Sequence, residues 1–369
     1  MSKLREKIDP GWGRIVHGSD YDLAEPLGTD LVLLDVPPGD ASALARALEA
    51  AARLRDTAIP VLVVDGRLSR EDRISLYRAG VLASISPADD SEELAAHLES
   101  LLGAKRPAVE ALRRVRQYAS HLDEQLRLAQ RLQMDFLPHH LPEVEGGRFA
   151  ARLEPAAWVA GDFYDVFRLD EKHVGFYVAD AVGHGIPAAL LTVFIKKSLQ
   201  TKRIEGKHYE LIPPDEAMRL LNADLLSAEL RETVFVTMVY GQYDETTREC
   251  VYVRAGHPRP LLLHGDGSLE QLDGEGPLLG IFPDAGFDLC RRRLEPGQRL
   301  ILYSDGAERV GPVSQPNAAA LFDVLRANRL LPVEAMLDAV LDAVHEAAHG
   351  GRLADDVTLL ALDLESTPK

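Results

Sequence analysis

Between residues 107 and 137 an apolar or small residue recurs with alternating spacings of three and four. Leu112, Val115, Ala119, Leu122, Leu126, Ala129, Gln133 and Phe136 mark the seam, with Gln133 its one polar interruption. Such spacing over about four heptads puts one stripe along a long helix, and stripes of this kind usually pair with a second copy of themselves. Charged residues fill the positions between, among them Arg113, Arg114, Glu124, Arg127 and Arg131, and Pro138 and Pro142 then stop the helix. The helix divides the 369-residue chain into three segments, 1–105, a coiled-coil-like helical linker at 106–140, and 141–369. A homodimer through residues 107–137 is the expected consequence.

Residues 1–105 alternate short apolar runs with helical patterns. "GRIV" (13–16), "DLVLLDV" (30–36), "IPVLVV" (59–64) and "GVLASI" (80–85) read as buried strands. Strands alternating with helices imply a parallel sheet. This small α/β segment resembles a response-regulator receiver domain, with Asp35 where a receiver carries its phosphate-accepting aspartate. It departs heavily from that pattern. "HGSD" replaces the acidic pair after the first strand, Ser86-Pro87 replaces Lys-Pro after the last, and the gap between the first strand and Asp35 is too short. It reads as a degenerate, truncated receiver, and Asp35 as a strand-end residue without phosphoryl chemistry.

The third segment is rich in strand patterns: "HVGFYVAD" (173–180), "TVFVTMVYGQYD" (233–244), "ECVYVRAG" (249–256), "RPLLLHG" (259–265), "QRLILYSDG" (298–306) and "DVTLLALDL" (356–364). Helical patterns at 185–200, 214–230 and 332–349 fall between strand blocks. The fold expected is an α+β sandwich.

Its chemistry lies in where aspartates fall. Asp162 follows a glycine in "VAGDFYDVF", Asp180 ends "GFYVAD", Asp305 ends "LILYSDG", and Asp355 and Asp356 open "DDVTLLAL". A carboxylate at the end of an apolar strand is partly desolvated, which is costly unless it is paired or binds a metal. Several meeting at one sheet edge would repel one another, and a divalent cation removes the conflict. Oxygen donors without nearby thiolate or clustered histidine suit hard cations, magnesium or manganese. Any one Asp-Gly is also an ordinary turn signal.

"GDFYD", "VADAVGHGIPAALL", "RAGHPRPLLL", "PLLGI", "LILYSDGAER" and "DDVTLLAL" occur in that order over about 200 residues. Together they resemble the metal-dependent serine/threonine phosphatase (PPM) superfamily, and more closely its bacterial stress-response and sporulation branch, the RsbU/SpoIIE type. "LAQRLQMDFLPHHLPEVEG" is similar to the helical lead-in of that branch. The resemblance implies a PPM-type β-sandwich flanked by helices with two Mn²⁺ or Mg²⁺ ions at one end. By motif match Asp180 would bridge the ions and the Ala181 carbonyl would complete one shell. Asp305 and Asp355 would hold the second ion, with Asp356 beside them, and Asp162 would hold metal-bound water or the metal itself.

A metal-activated hydroxide would then remove phosphate from the phosphoserine or phosphothreonine of a regulatory protein. In this branch that partner is typically an anti-sigma-factor antagonist. Departures are mild: Ala181-Val182 replace Val-Ser, Ser304 replaces Thr, and Ala160 replaces a glycine. None removes a carboxylate, which favours an enzyme over a catalytically silent adaptor that sequesters a regulator. His257 reads as a leaving-group acid or a turn-closing hydrogen bond, and His184 as a phosphate contact or packing. Arg254 and Arg259 read as phosphate contacts or ordinary exposed residues.

The formal net charge of −17 argues against a nucleic-acid groove and against docking on anionic lipid. No apolar run approaches the ~20 residues of a membrane span. The N-terminus lacks a signal-peptide core, and two cysteines without a CxxC pattern fit a reducing cytoplasm.

Overall fold

The computed structural model describes residues 32–365 except 38, 56–58, 66–67, 87–90, 184, 207, 229–233 and 311–316. At 91–110, 112, 113, 116 and 205 it describes the backbone alone. The expected strand at 13–16, the "HGSD" text, Pro87 and His184 lie outside these residues. The chain divides into two compact units, Met1–Leu122 and Asp123–Lys369.

In the first unit, strands β1 (Val32–Val36), β2 (Val61–Asp65) and β3 (Ala83–Ile85) form a parallel sheet in that order. Helix α1 (Ala41–Leu54) joins the first pair and α2 (Arg70–Ala79) the second. Each helix start follows from its sequence. Asp40 accepts the Ala43 amide at 2.9 Å and Ser69 accepts the Asp72 amide at 3.1 Å, pairing amides the first turn leaves open. Gly80, taken above as the start of a strand, instead ends α2 at φ 115°, a conformation that favours glycine; β3 therefore begins only at Ala83. Asp35 stands in β1 opposite Val64. The buried acid of this sheet is Asp65 at the end of β2, which accepts the Ser84 hydroxyl at 3.2 Å and lies 3.6 Å from Arg73.

Helix α3 (Ser91–Phe136) is one continuous helix of 46 residues and runs straight through Pro107, where the sequence suggests a boundary. Its seam has two fates. Val115 and Leu122 are 63% and 54% exposed, whereas Gln133 is 5% exposed and Phe136 packs on the core of the second unit.

The second unit is two antiparallel sheets face to face. β4 (Glu143–Val144), β5 (Gly147–Glu154), β6 (Asp162–Arg168) and β7 (His173–Ala181) open it, and α4 (Ile186–Ser198) follows. The hairpin β8 (Lys202–Glu205) and β9 (His208–Leu211) leads to α5 (Pro214–Ser227), then β10 (Val236–Asp244), β11 (Glu249–Ala255), β12 (Leu261–Leu263), β13 (Leu269–Gln271), β14 (Cys290–Arg293) and β15 (Arg299–Tyr303). Helices α6 (Ala318–Ala327) and α7 (Val333–Ala347) precede the last strand, β16 (Val357–Leu364). One sheet has the order β14-β11-β10-β7-β6 and the other β13-β12-β15-β16-β5-β4.

The period-two alternation of β7 explains the layering. Val174, Phe176 and Val178 face the other sheet and meet Leu300, Leu302, Leu360 and Leu362. Tyr177 and Ala179 face outward, onto Leu191 and Ile195 of α4 and Met218 and Leu221 of α5. The second sheet is covered in the same way by α6 and α7. With both faces buried, β7 and β16 read as unbroken apolar runs, and their polar residues are pushed to the ends. Among the described residues no helix is long and apolar enough to cross a membrane.

Candidate metal centre

The strand ends bring the expected aspartates to one end of the sandwich. Asp162 opens β6 and Asp180 is the last residue but one of β7, and the antiparallel register sets them opposite each other. From the other sheet, Ser304 extends β15 by hydrogen-bonding Thr358 in both directions: its amide donates to the Thr358 carbonyl at 3.0 Å and its hydroxyl accepts the Thr358 amide at 2.9 Å. Asp305 therefore leaves β15 where Asp355 and Asp356 enter β16. The Thr358 hydroxyl crosses between the sheets to Asp162 at 2.8 Å.

Each carboxylate is placed differently. Asp162 is 3% exposed, and burial and the Asp180 charge hold its pKa well above the usual carboxylate range. Asp180 is half-buried. Burial, then the charges of Asp305, Asp355 and Asp356, push it up to about 7. Asp305, at the exposed rim, is raised by partial burial and by Asp355 and lowered by Arg309. Arg309, which the sequence reading passed over, lies 3.4 Å from Asp355.

Asp356 has a job the motif did not suggest. Its two oxygens accept the Ala156 amide at 2.7 Å and the Gly161 amide at 2.6 Å, so it staples the loop before β6 to the start of β16. Each amide uses one lone pair of one oxygen, so Asp356 anchors this loop whether or not it also meets an ion.

The "GHG" corner turns at Gly183 (φ 92°) and Gly185 (φ 79°), and Pro187 sits in the first turn of α4. The Ala181 amide bonds the Gly161 carbonyl at 3.0 Å, and a side chain on Gly161 would press the Ala181 carbonyl at 3.0 Å. The second aspartate of "GDFYD", Asp165, pairs with Lys196 of α4 at 2.6 Å.

His257 makes a structural hydrogen bond, to strand β10 rather than across its own turn. Its Nδ1 meets Thr237 Oγ1 at 2.7 Å, and Thr237 is the register partner of Asp180. Burial pushes its pKa down to about 3, so it carries no ionised proton to donate near neutrality. Arg254 is spent on the Gly274 and His257 carbonyls, and Arg259 is an exposed residue 3.9 Å from Asp273.

The donor set fits a hard divalent cation, being all oxygen and mutually repelling. Among the described residues no three acidic, histidine or cysteine side chains stand close enough to enclose an ion as placed. The charges of Asp305 and Asp355 nevertheless act on Asp180, and that of Asp355 on Asp305.

The sequence profile described as "Stage II sporulation protein E (SpoIIE)" matches residues 170–365, more than half of the chain. The chain belongs to the SpoIIE family.

Within that family it is 27% identical over 247 residues to "Phosphoserine phosphatase RsbU" of Bacillus subtilis (strain 168), covering 66% of this chain and 71% of that protein. It is 25% identical over 261 residues to "Protein IcfG" of Synechocystis sp., covering 64% of this chain. The chain spans 41% of IcfG's length and 60% of that of "Phosphoserine phosphatase RsbP" from B. subtilis. The RsbU and RsbW domains of Rv1364c from Mycobacterium tuberculosis superpose with TM-score 0.50 at 28% identity, over 62% of this chain and 63% of that one. The SiaA-PP2C domain of Pseudomonas aeruginosa superposes with TM-score 0.57 at 20% identity, over 67% of this chain and 99% of that one. The fold is thus the PP2C-type α+β sandwich expected from the motifs.

Proposed function

We propose that this chain is a metal-dependent protein-serine/threonine phosphatase. The observation that carries the reading is that the strand ends bring Asp180 of one sheet to the end where Asp305 and Asp355 of the other sheet lie, close enough that both charges raise the Asp180 pKa. Asp180, the Ala181 carbonyl, Asp305 and Asp355 would hold two Mn²⁺ or Mg²⁺ ions, with Asp162 beside them. Bound there, the ions supply Lewis acidity and lower the pKa of water. The chain's own part is placement. Thr358 fixes Asp162, Asp356 fixes the loop before it, and His257 fixes the strand beside Asp180. All the expected carboxylates are present, which supports an enzyme over a silent adaptor.

The substrate we infer is the phosphoserine or phosphothreonine of a regulatory protein, an anti-sigma-factor antagonist being the first choice; the phosphoserine phosphatases among the relatives support this. The two free cysteines fit a reducing cytoplasm. The test is release of phosphate from a phosphoserine protein and from p-nitrophenyl phosphate with Mn²⁺. Wild-type protein should turn over and Asp305→Ala should not; a metal-loaded wild type without activity on either compound would sink the reading.

We also propose that the exposed half of the α3 seam pairs two chains and that the N-terminal segment, 1–105, acts through this linker on the phosphatase segment, 141–369. Val115 and Leu122 leave apolar surface on the seam, which a second copy would cover. Leu122→Asp should turn a dimer into a monomer by light scattering and change the phosphatase rate. A dimer that persists with unchanged activity would refute the linker's role.

A further inference from the structure

Among the described side chains of α3, the most buried polar one is the one that breaks its apolar seam. Gln133 is buried, and its amide clasps the peptide of Ala160 at both ends. Nε2 donates to the Ala160 carbonyl at 2.7 Å, and Oε1 accepts the Ala160 amide at 2.9 Å. Nε2 also lies 3.4 Å from Thr192 Oγ1 of α4, whose hydroxyl donates to the Ala189 carbonyl at 2.7 Å. Ala160 and Thr192 are fully buried, so no water replaces these partners. The next residue, Gly161, is held by Asp356, and the one after is Asp162. One amide thus joins the last turns of α3 to the two segments that frame the aspartates, the start of β6 and helix α4. A heptad polar residue that only set helix register would face a partner helix; this one faces its own site.

We propose that Gln133 is a positioning residue for the metal centre, setting Asp162 and the Gly161–Ala181 contact through Ala160. The proposal rests on the metal-phosphatase reading above. Groups that orient metal-binding segments from behind typically cost 10–100-fold in metal affinity when removed.

The experiment uses full-length protein and Mn²⁺ titrated by calorimetry, with thermal melts in parallel, on wild type, Gln133→Met, Gln133→Glu, Leu137→Ala and Asp180→Asn. Leu137 is a buried apolar neighbour on the same helix end and has no contact with Ala160 among the hydrogen bonds above, so its truncation reports destabilisation alone. Gln133→Met should weaken Mn²⁺ binding about tenfold or more and raise the Mn²⁺ needed for half-maximal activity by the same factor, with KM for the phosphoprotein unchanged. Gln133→Glu, which keeps an acceptor for the Ala160 amide, should fall between. Leu137→Ala should melt earlier yet bind Mn²⁺ within about twofold of wild type. Equal Mn²⁺ affinity in Gln133→Met, Leu137→Ala and wild type overturns the proposal, and if Gln133→Met does not fold, Gln133→Glu against Leu137→Ala decides it in the same way. Wild-type binding that is lost in Asp180→Asn but untouched by Gln133 changes defeats the positioning role alone. Absence of Asp180-dependent binding in wild type defeats the metal reading as well.

Discussion

Asp180→Asn is expected to lower phosphatase turnover about 10³-fold or more while making the metal-free protein more stable. The first half follows from its place between the two sheets. Losing several kcal/mol of transition-state stabilisation from a displaced cation corresponds to that factor, at about 1.4 kcal/mol per tenfold. The second half has the opposite sign. Burial and three neighbouring carboxylates raise the Asp180 pKa from 3.8 to about 7. An acid with a raised folded pKa costs nothing below its unfolded pKa, where it is protonated in both states. Its penalty grows as pH rises from about 4 to about 7 and then levels. The full interval corresponds to about 4 kcal/mol, and solvent at the open side of the site reduces this to about 2–4 kcal/mol. In chelator, then, wild type should melt lower at pH 8 than at pH 5, and Asp180→Asn should melt above wild type at pH 8 but level with it at pH 4. Mn²⁺ should reverse the order at pH 8. A metal-free wild type whose melting point climbs steadily from pH 4 to pH 8 would contradict the arrangement.

Gly306→Ala should cost about 3 kcal/mol or more in urea unfolding and abolish activity. In the sequence, Gly306 belongs to an Asp-Gly pair that serves equally as a turn signal and as the setting of a candidate metal ligand, Asp305. Its backbone needs no left-handed conformation, since it is absent from the positive-φ positions. Instead a Cβ there would lie 1.9 Å from the Asp356 carbonyl oxygen, backbone against backbone, with no flexible side chain to yield. The turn and the start of β16 would have to part, carrying Asp305 away from Asp355. Gly183→Ala makes the contrast. Its surroundings are open, and only its φ of 92° is at stake, a cost of about 1–2 kcal/mol. A Gly306→Ala protein with wild-type unfolding midpoint and rate would show that the close approach does not hold in solution.

Much of the second unit is legible along the chain. The runs at 173–180, 249–256 and 356–364 become β7, β11 and β16 almost residue for residue, because strands packed between a facing sheet and covering helices are rich in apolar side chains. The elements passed over are those with weaker patterns. β5 ("GRFAARLE") mixes arginines into its run, and α6 is short. The heptad seam marks α3 only from 107 onward, whereas the helix begins at Ser91 and passes through Pro107, a local penalty that a long helix can absorb.

Asp355 and Asp356 show where local reading stops. They are adjacent, identical in type and equally close to an apolar strand. Only the loop folded over them distinguishes their tasks, through amides at Ala156 and Gly161 that are 200 and 195 residues away in the chain. Gln133 is the same case on a helix. Its heptad position is plain in the sequence, but its partner, Ala160, lies on another element.

The sequence by itself determined the main strand ends of the second unit and the oxygen-only character of the acidic cluster, because these follow from hydrophobic period and side-chain chemistry within a few residues. The tertiary structure decided which carboxylates face one another, which one anchors a loop, why Gly306 admits no side chain, and what the buried glutamine holds. Those answers depend on which backbone amides lose water together, and burial brings together groups that the chain keeps far apart.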